Sequence, residues 1–160
     1  MKGQITVQYR VAPSTVAGAG KGFFVDENVT AGRVLIAPTH ATHTVSLREV
    51  LGPQAHPHAE TSVVWFEDHC VVSPDYPDDF FINHSFSPNA LWHLGFVFAL
   101  RDLAAGEELL LDYRHLIAPG VTLDYADAQT GMPITGHTWK ESLRIAARQL
   151  TGLAELLPDA

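Results

Sequence analysis

The stretch FFINHSFSPNALWHLGFVFALRDLAAGEELLLDY, Phe80–Tyr113, decides how this chain is read. Asn83, His84 and Ser85 follow the apolar run Phe80, Phe81, Ile82, which places a polar cluster at the end of a strand or short apolar segment. Pro88 biases Ser87 away from the helical region, so a tight bend is expected before Asn89. Leu94–Leu100 reads as a strand, Ala104–Gly106 as a turn, and Leu109–Leu111 as a second apolar run that ends in Asp112 and Tyr113. Two loops rich in Asn, His, Asp and Tyr would converge if these strands lie side by side.

Outward from that stretch, the chain is the size of one domain: 160 residues, 46% hydrophobic and 18% charged, an ordinary globular composition. The single cysteine, Cys70, rules out an internal disulfide and any multi-cysteine zinc cluster within one chain. In the hairpin expected over Ser62–Ser73, turning at Glu67 and Asp68, Cys70 reads as a small buried hydrophobe. MKGQITVQYR lacks the apolar core of a signal peptide, and no apolar run is long enough to span a bilayer. The expectation is a soluble, cytoplasmic protein without membrane partners. A net charge of −8 with only 10 Lys and Arg argues against direct nucleic-acid binding and suits a basic partner.

Gln4–Val11 alternates and reads as a first strand. VAGAGKG at Val16–Gly22 places three glycines at alternate positions, a loop that is either a simple turn or a backbone cradle for a ligand. The strand expected next is Arg33–Ala37, ended by Pro38. Ser46 and Glu49 have capping-box spacing for a short helix to Leu51. His40, His43, His56 and His58 around it lack the accompanying ligands of a metal site and are read as solvated; no metal is expected. Arg114–Gly136 reads as loop. Thr138 and Glu141 repeat the capping box, opening an amphipathic helix of about 19 residues with a stripe of Trp139, Leu143, Ala146, Leu150, Leu153 and Leu157. That stripe packs on the sheet or forms a homodimer seam, leaving monomer and homodimer both open.

Taken together, GKGFF at Gly20–Phe24, NHSFSPN at Asn83–Asn89 and ALRDLAAGEELLLDY at Ala99–Tyr113, in that order, resemble the SET-domain protein-lysine methyltransferases. The resemblance implies a mainly β fold with a few helices, in which small curved sheets surround a knot-like crossing. The core would be about residues 12–113 of a single domain, with residues 114–160 as a C-terminal cover. It implies S-adenosylmethionine as cofactor, held by Gly20, Lys21, Gly22, Asn83 and His84, and methyl transfer to a lysine of a protein, with Tyr113 at the transfer site. Asn89 and Asp112 are assigned to the crossing.

The sequence departs from the family pattern at three places. Phe86 stands where the motif often has Cys, and the cysteine cluster that follows the tyrosine in many members is absent. The segment from Arg114 to the last helix, through Trp139, is then the expected cover. Leu111 stands where Phe or Tyr often limits the number of methyls, which implies room for higher methylation states. Two other classes draw on the same residues. A SET-like protein-binding module without catalysis would keep the same motifs. A hydrolase using Ser85 and His84 is disfavoured, because adjacent residues on a strand point apart and no G-x-S-x-G elbow is present.

Overall fold

The computed structural model describes residues 3–39, 44–54 and 56–157, so His40 and His43 lie outside the described residues. The fold is mostly β. Its strands are β1 (Gly3–Ile5), β2 (Tyr9–Pro13), β3 (Lys21–Val25), β4 (Val34–Pro38), β5 (Thr44–Ser46), β6 (Val63–Phe66), β7 (His69–Val71), β8 (Asn83–His84), β9 (Ala90–His93), β10 (Phe96–Ala99), β11 (Leu110–Leu111), β12 (Thr122–Ala126) and β13 (Pro133–Thr135). The helices are α1 (Leu47–Leu51) and α2 (Trp139–Ala154). The strands form five small sheets: β1-β4-β10-β9, β5-β7-β6, and the pairs β2-β3, β8-β11 and β12-β13.

The expected first strand is two strands, because its halves pair with different sheets: β1 with β4, and β2 with β3. Between them Thr6 turns its N–H to the Leu35 carbonyl. Leu94–Leu100 also divides. Leu94 and Gly95 both take positive φ, 51° and 83°, and form the tight turn between β9 and β10. Two-residue hairpin turns favour this conformation because its twist matches that of the strands. The expected loop at 114–136 contains the β12-β13 hairpin. In its turn, Asp127 accepts from the Thr130 N–H and hydroxyl, and Gly131 sits at φ 69°.

Both capping boxes are formed. Helix α2 runs 16 residues and buries Ser142, Ala146 and Leu153, so its inward face is rotated from the expected stripe. Leu143 and Leu157 are exposed. The hairpin with Glu67 in its turn joins β6 to β7, and Cys70 is buried there, its thiol pushed up to about 11 chiefly by burial.

The main core joins Phe23, Val25, Leu35, Ile36, Ile82, Val97, Leu109 and Leu111. Each such side chain contributes about 1.5–3 kcal/mol by leaving water. Leu111 of β11 and Ile82, next to β8, belong to this core, and β8 and β11 pair in parallel with Leu110 opposite Asn83 and Leu111 opposite His84. The core therefore brings the two ends of the Phe80–Tyr113 stretch side by side. No helix among the described residues is long and apolar enough to cross a membrane.

Candidate active site

Asn83 opens β8 after a 3-10 turn over Asp78–Phe81. Its amide N–H2 group donates to Glu108 Oε1 at 3.0 Å, to the Lys21 carbonyl at 2.8 Å and to Ser14 Oγ at 3.1 Å. This fixes the amide orientation and leaves the Asn83 side-chain carbonyl oxygen without a partner among the described residues. Glu108 is 5% exposed and also accepts from the Ser14 hydroxyl and from the Thr15 N–H and hydroxyl. Burial alone would raise its pKa, but these hydrogen bonds outweigh burial and hold the carboxyl below the ordinary glutamate value.

The same carboxylate explains Gly22. A Cβ there would stand 2.2 Å from Glu108 Oε1, so any larger residue would have to push this hydrogen-bonded carboxylate aside. Gly20, at φ 75°, and Gly18, at φ 79°, turn the preceding loop. The Lys21 ammonium lies 5.2 Å from the centre of the Phe81 ring.

His84 is buried, and its Nδ1 accepts the Tyr113 N–H at 3.1 Å. Burial lowers its pKa, against the opposing pull of Asp112 and Asp127, so the ring is neutral with its proton on Nε2. That Nε2 is buried without a hydrogen-bond partner among the described residues; Asp127 Oδ1 is 3.8 Å away, too far for a hydrogen bond. Phe86 packs edge-on against the His84 ring at 4.7 Å, and the Arg114 guanidinium lies 4.5 Å above Phe86.

Tyr113 follows β11, and its hydroxyl donates to the Ile82 carbonyl at 2.7 Å. Burial pushes its phenol well above the ordinary value, so it remains protonated at neutral pH. Asn89 links the two halves of the stretch: its Nδ2 donates to the Glu108 carbonyl at 2.8 Å and its Oδ1 accepts the Leu110 N–H at 2.8 Å. The Asp112 carboxylate accepts the Arg114 N–H and guanidinium.

Two cavities meet at Tyr113 and Tyr125. One, of about 430 Å³, is lined by Val16–Ala19, Asn83, His84, Asp127 and Ile134 besides the two tyrosines. The other, of about 240 Å³, is apolar, with Ile82, Trp92, Val97, Leu111 and Leu116 in its wall. The larger cavity touches the glycine loop at Val16–Ala19, upstream of Gly20–Gly22. The cover comes from β12-β13 and not from Trp139, which lines neither cavity.

Sequence reasoning missed Tyr125, Asp127, Ser14 and Glu108. The alternation of TLDYA at Thr122–Ala126 and the Asp127-to-Gly131 turn were the signals for the hairpin that carries the first two.

A family model for the SET domain matches residues 20–114, more than half of the chain. The chain belongs to the SET-domain family, whose members are generally protein-lysine methyltransferases that use S-adenosylmethionine. Comparison with curated protein sequences returns no match.

Proposed function

We propose that the chain transfers a methyl group from S-adenosylmethionine to the ε-amine of a lysine in a protein substrate. The observation that carries this reading is the meeting of a polar cavity and an apolar one at Tyr113 and Tyr125. A two-substrate transfer needs such a junction, because its reactants must be brought into line from separate pockets.

The larger cavity suits the cofactor. Its volume lies within the range of small-molecule sites, the Asn83 carbonyl oxygen offers an acceptor to an ammonium group, and buried Asp127 places negative charge in the wall of a site for a cationic ligand. When bound, S-adenosylmethionine supplies an electrophilic methyl carried on a sulfonium.

The protein's own residues prepare the amine. A lysine with a pKa of roughly 10.4 costs ~4.6 kcal/mol to deprotonate at pH 7. The apolar wall around Trp92, Val97 and Leu111 lowers that cost by desolvating the ammonium form. Tyr113, protonated and anchored on Ile82, orients the amine through its hydroxyl oxygen and does not act as a base. The lysine proton leaves to water. The net charge of −8 favours a basic substrate segment.

Calorimetry with S-adenosylmethionine, followed by labelled-methyl transfer into a lysate of the source organism, tests the proposal. Saturable cofactor binding and a labelled lysine are expected. Cofactor binding with no labelled protein would leave a non-catalytic SET-like binding module as the better reading.

A further inference from the structure

Asp112, His115 and His137, none of which lines either cavity, converge. Each offers one ligand atom, and these atoms lie within 4.8 Å of one another. They come from the end of β11, the 3-10 turn Tyr113–His115, and the residue before the Thr138 cap of α2. The His137 N–H donates to the Arg114 carbonyl at 2.8 Å, and the two imidazole centroids are 5.3 Å apart. Asp112 and His115 are buried, and His137 is half-buried.

Two observations mark the cluster as more than packing. The Nε2 of His137 is buried with no hydrogen-bond partner among the described residues, an arrangement that costs free energy unless something fills it. Ser142 Oγ lies 2.6 Å from His115 Nδ1, the kind of outer partner that orients a ligating imidazole.

We infer that Asp112, His115 and His137 form a site for a divalent transition cation of the Zn²⁺ class, with a fourth position open to water. Two imidazoles and one carboxylate suit this class and not Ca²⁺ or Mg²⁺, which prefer all-oxygen shells. Bonds of about 2.1 Å in a tetrahedral arrangement place ligand atoms about 3.4 Å apart, so the side chains must draw in by at most about 1.4 Å. Arg114 already donates to the Asp112 carboxylate. These contacts engage both carboxylate oxygens twice, so an ion would displace at least one of them, and the neighbouring positive charge lowers its affinity.

The consequence is mechanical. Residues 115 and 137 are the two ends of the segment that carries β12-β13, and this hairpin walls both cavities. An ion joining His115 to His137 closes that segment at its base and ties α2 to the turn that starts with Tyr113.

The test uses the full chain, stripped with a chelator and titrated with Zn²⁺ by calorimetry, and with Co²⁺ as a visible-absorption probe. One ion per chain is expected, with a rise in Tm of about 5–10 °C at a hundredfold excess over Kd. His137→Gln should weaken binding at least about tenfold, as a lost ligand does, while the double variant His56→Asn, His58→Asn should bind as the parent does. Should His137→Gln fail to fold, imidazole NMR of the parent decides the matter: Zn²⁺ must shift the His115 and His137 signals and leave those of His56 and His58 in place. No stoichiometric binding, or binding that survives in folded His137→Gln, overturns the site.

Discussion

The backbone N–H of Tyr113 donates to Nδ1 of His84 at 3.1 Å, so the residue at the junction of the two cavities is held by a side chain from the wall of the larger one. The Tyr113 hydroxyl is held separately, on the carbonyl of Ile82. Backbone and hydroxyl are thus anchored to consecutive parts of one segment, residues 82–84, and Tyr113 has little freedom to swing.

Removing that hydroxyl should abolish positioning without emptying the cofactor cavity. Tyr113→Phe is expected to lose on the order of 10²-fold in kcat, the scale of one oriented polar group at a reacting centre. Its Kd for S-adenosylmethionine should stay within a few-fold of the parent by calorimetry. Full turnover in this variant would sink the assigned role.

Asn83 should show the opposite pattern. Asn83→Ala removes the free carbonyl oxygen and strips the Glu108 carboxylate of one donor. Cofactor affinity should drop at least about tenfold, the worth of one hydrogen bond to a charged group. An unchanged Kd would mean that the ligand does not lie against Asn83.

Leu111 is 4% exposed in the wall of the apolar cavity. Leu111→Tyr adds both volume and a hydroxyl to a space of about 240 Å³. Products should shift toward monomethyl-lysine, read as the ratio of methylation states by mass spectrometry. An unaltered ratio counts against Leu111 as the control point. Overpacking is expected to cost about 1–3 kcal/mol of stability, so the ratio is the informative quantity and not the rate.

Glu108 should make the fold acid-sensitive. Its folded pKa lies below the unfolded value of 4.5, so its contribution is complete above about pH 4.5. As pH falls, the unfolded chain takes the proton first, and the contribution is lost progressively down to the folded pKa. Thermal melts from pH 7 to 3.5 should show this decline, and Glu108→Gln should flatten it. Equal slopes in the two proteins would exclude Glu108 as a source.

Gly22→Ala should be costly although Gly22 does not take a positive φ. The added Cβ meets the Glu108 carboxylate and must displace it from Ser14, Thr15 or Asn83. A loss of about 1–3 kcal/mol is expected from the denaturant midpoint, the price of strain plus a broken buried hydrogen bond.

Much of this molecule was legible without coordinates wherever the cause is local. Ser46 with Glu49 and Thr138 with Glu141 specify helix starts through contacts three residues apart, and both form. Glu67 and Asp68 mark a hairpin between two runs of strand formers, and it forms. The motifs at Gly20–Phe24, Asn83–Asn89 and Ala99–Tyr113 carried the family, because their order along the chain is itself the signal.

Other features depended on distant partners. Gln4–Val11 alternates as one strand would, but Thr6 hydrogen-bonds to Leu35 and the two halves join different sheets. The inward face of α2 is set by what it meets, including His115 against Ser142, and not by the strongest apolar period. Residue types alone identified the amino acids able to do chemistry, since an amide, an imidazole and a phenol have fixed donor and acceptor capacities. Which of them face one cavity was decided by long-range pairing. Packing β8 beside β11 brings Asn83 and His84 to Tyr113 across about 30 residues, and the hairpin that supplies Tyr125 and Asp127 closes over them.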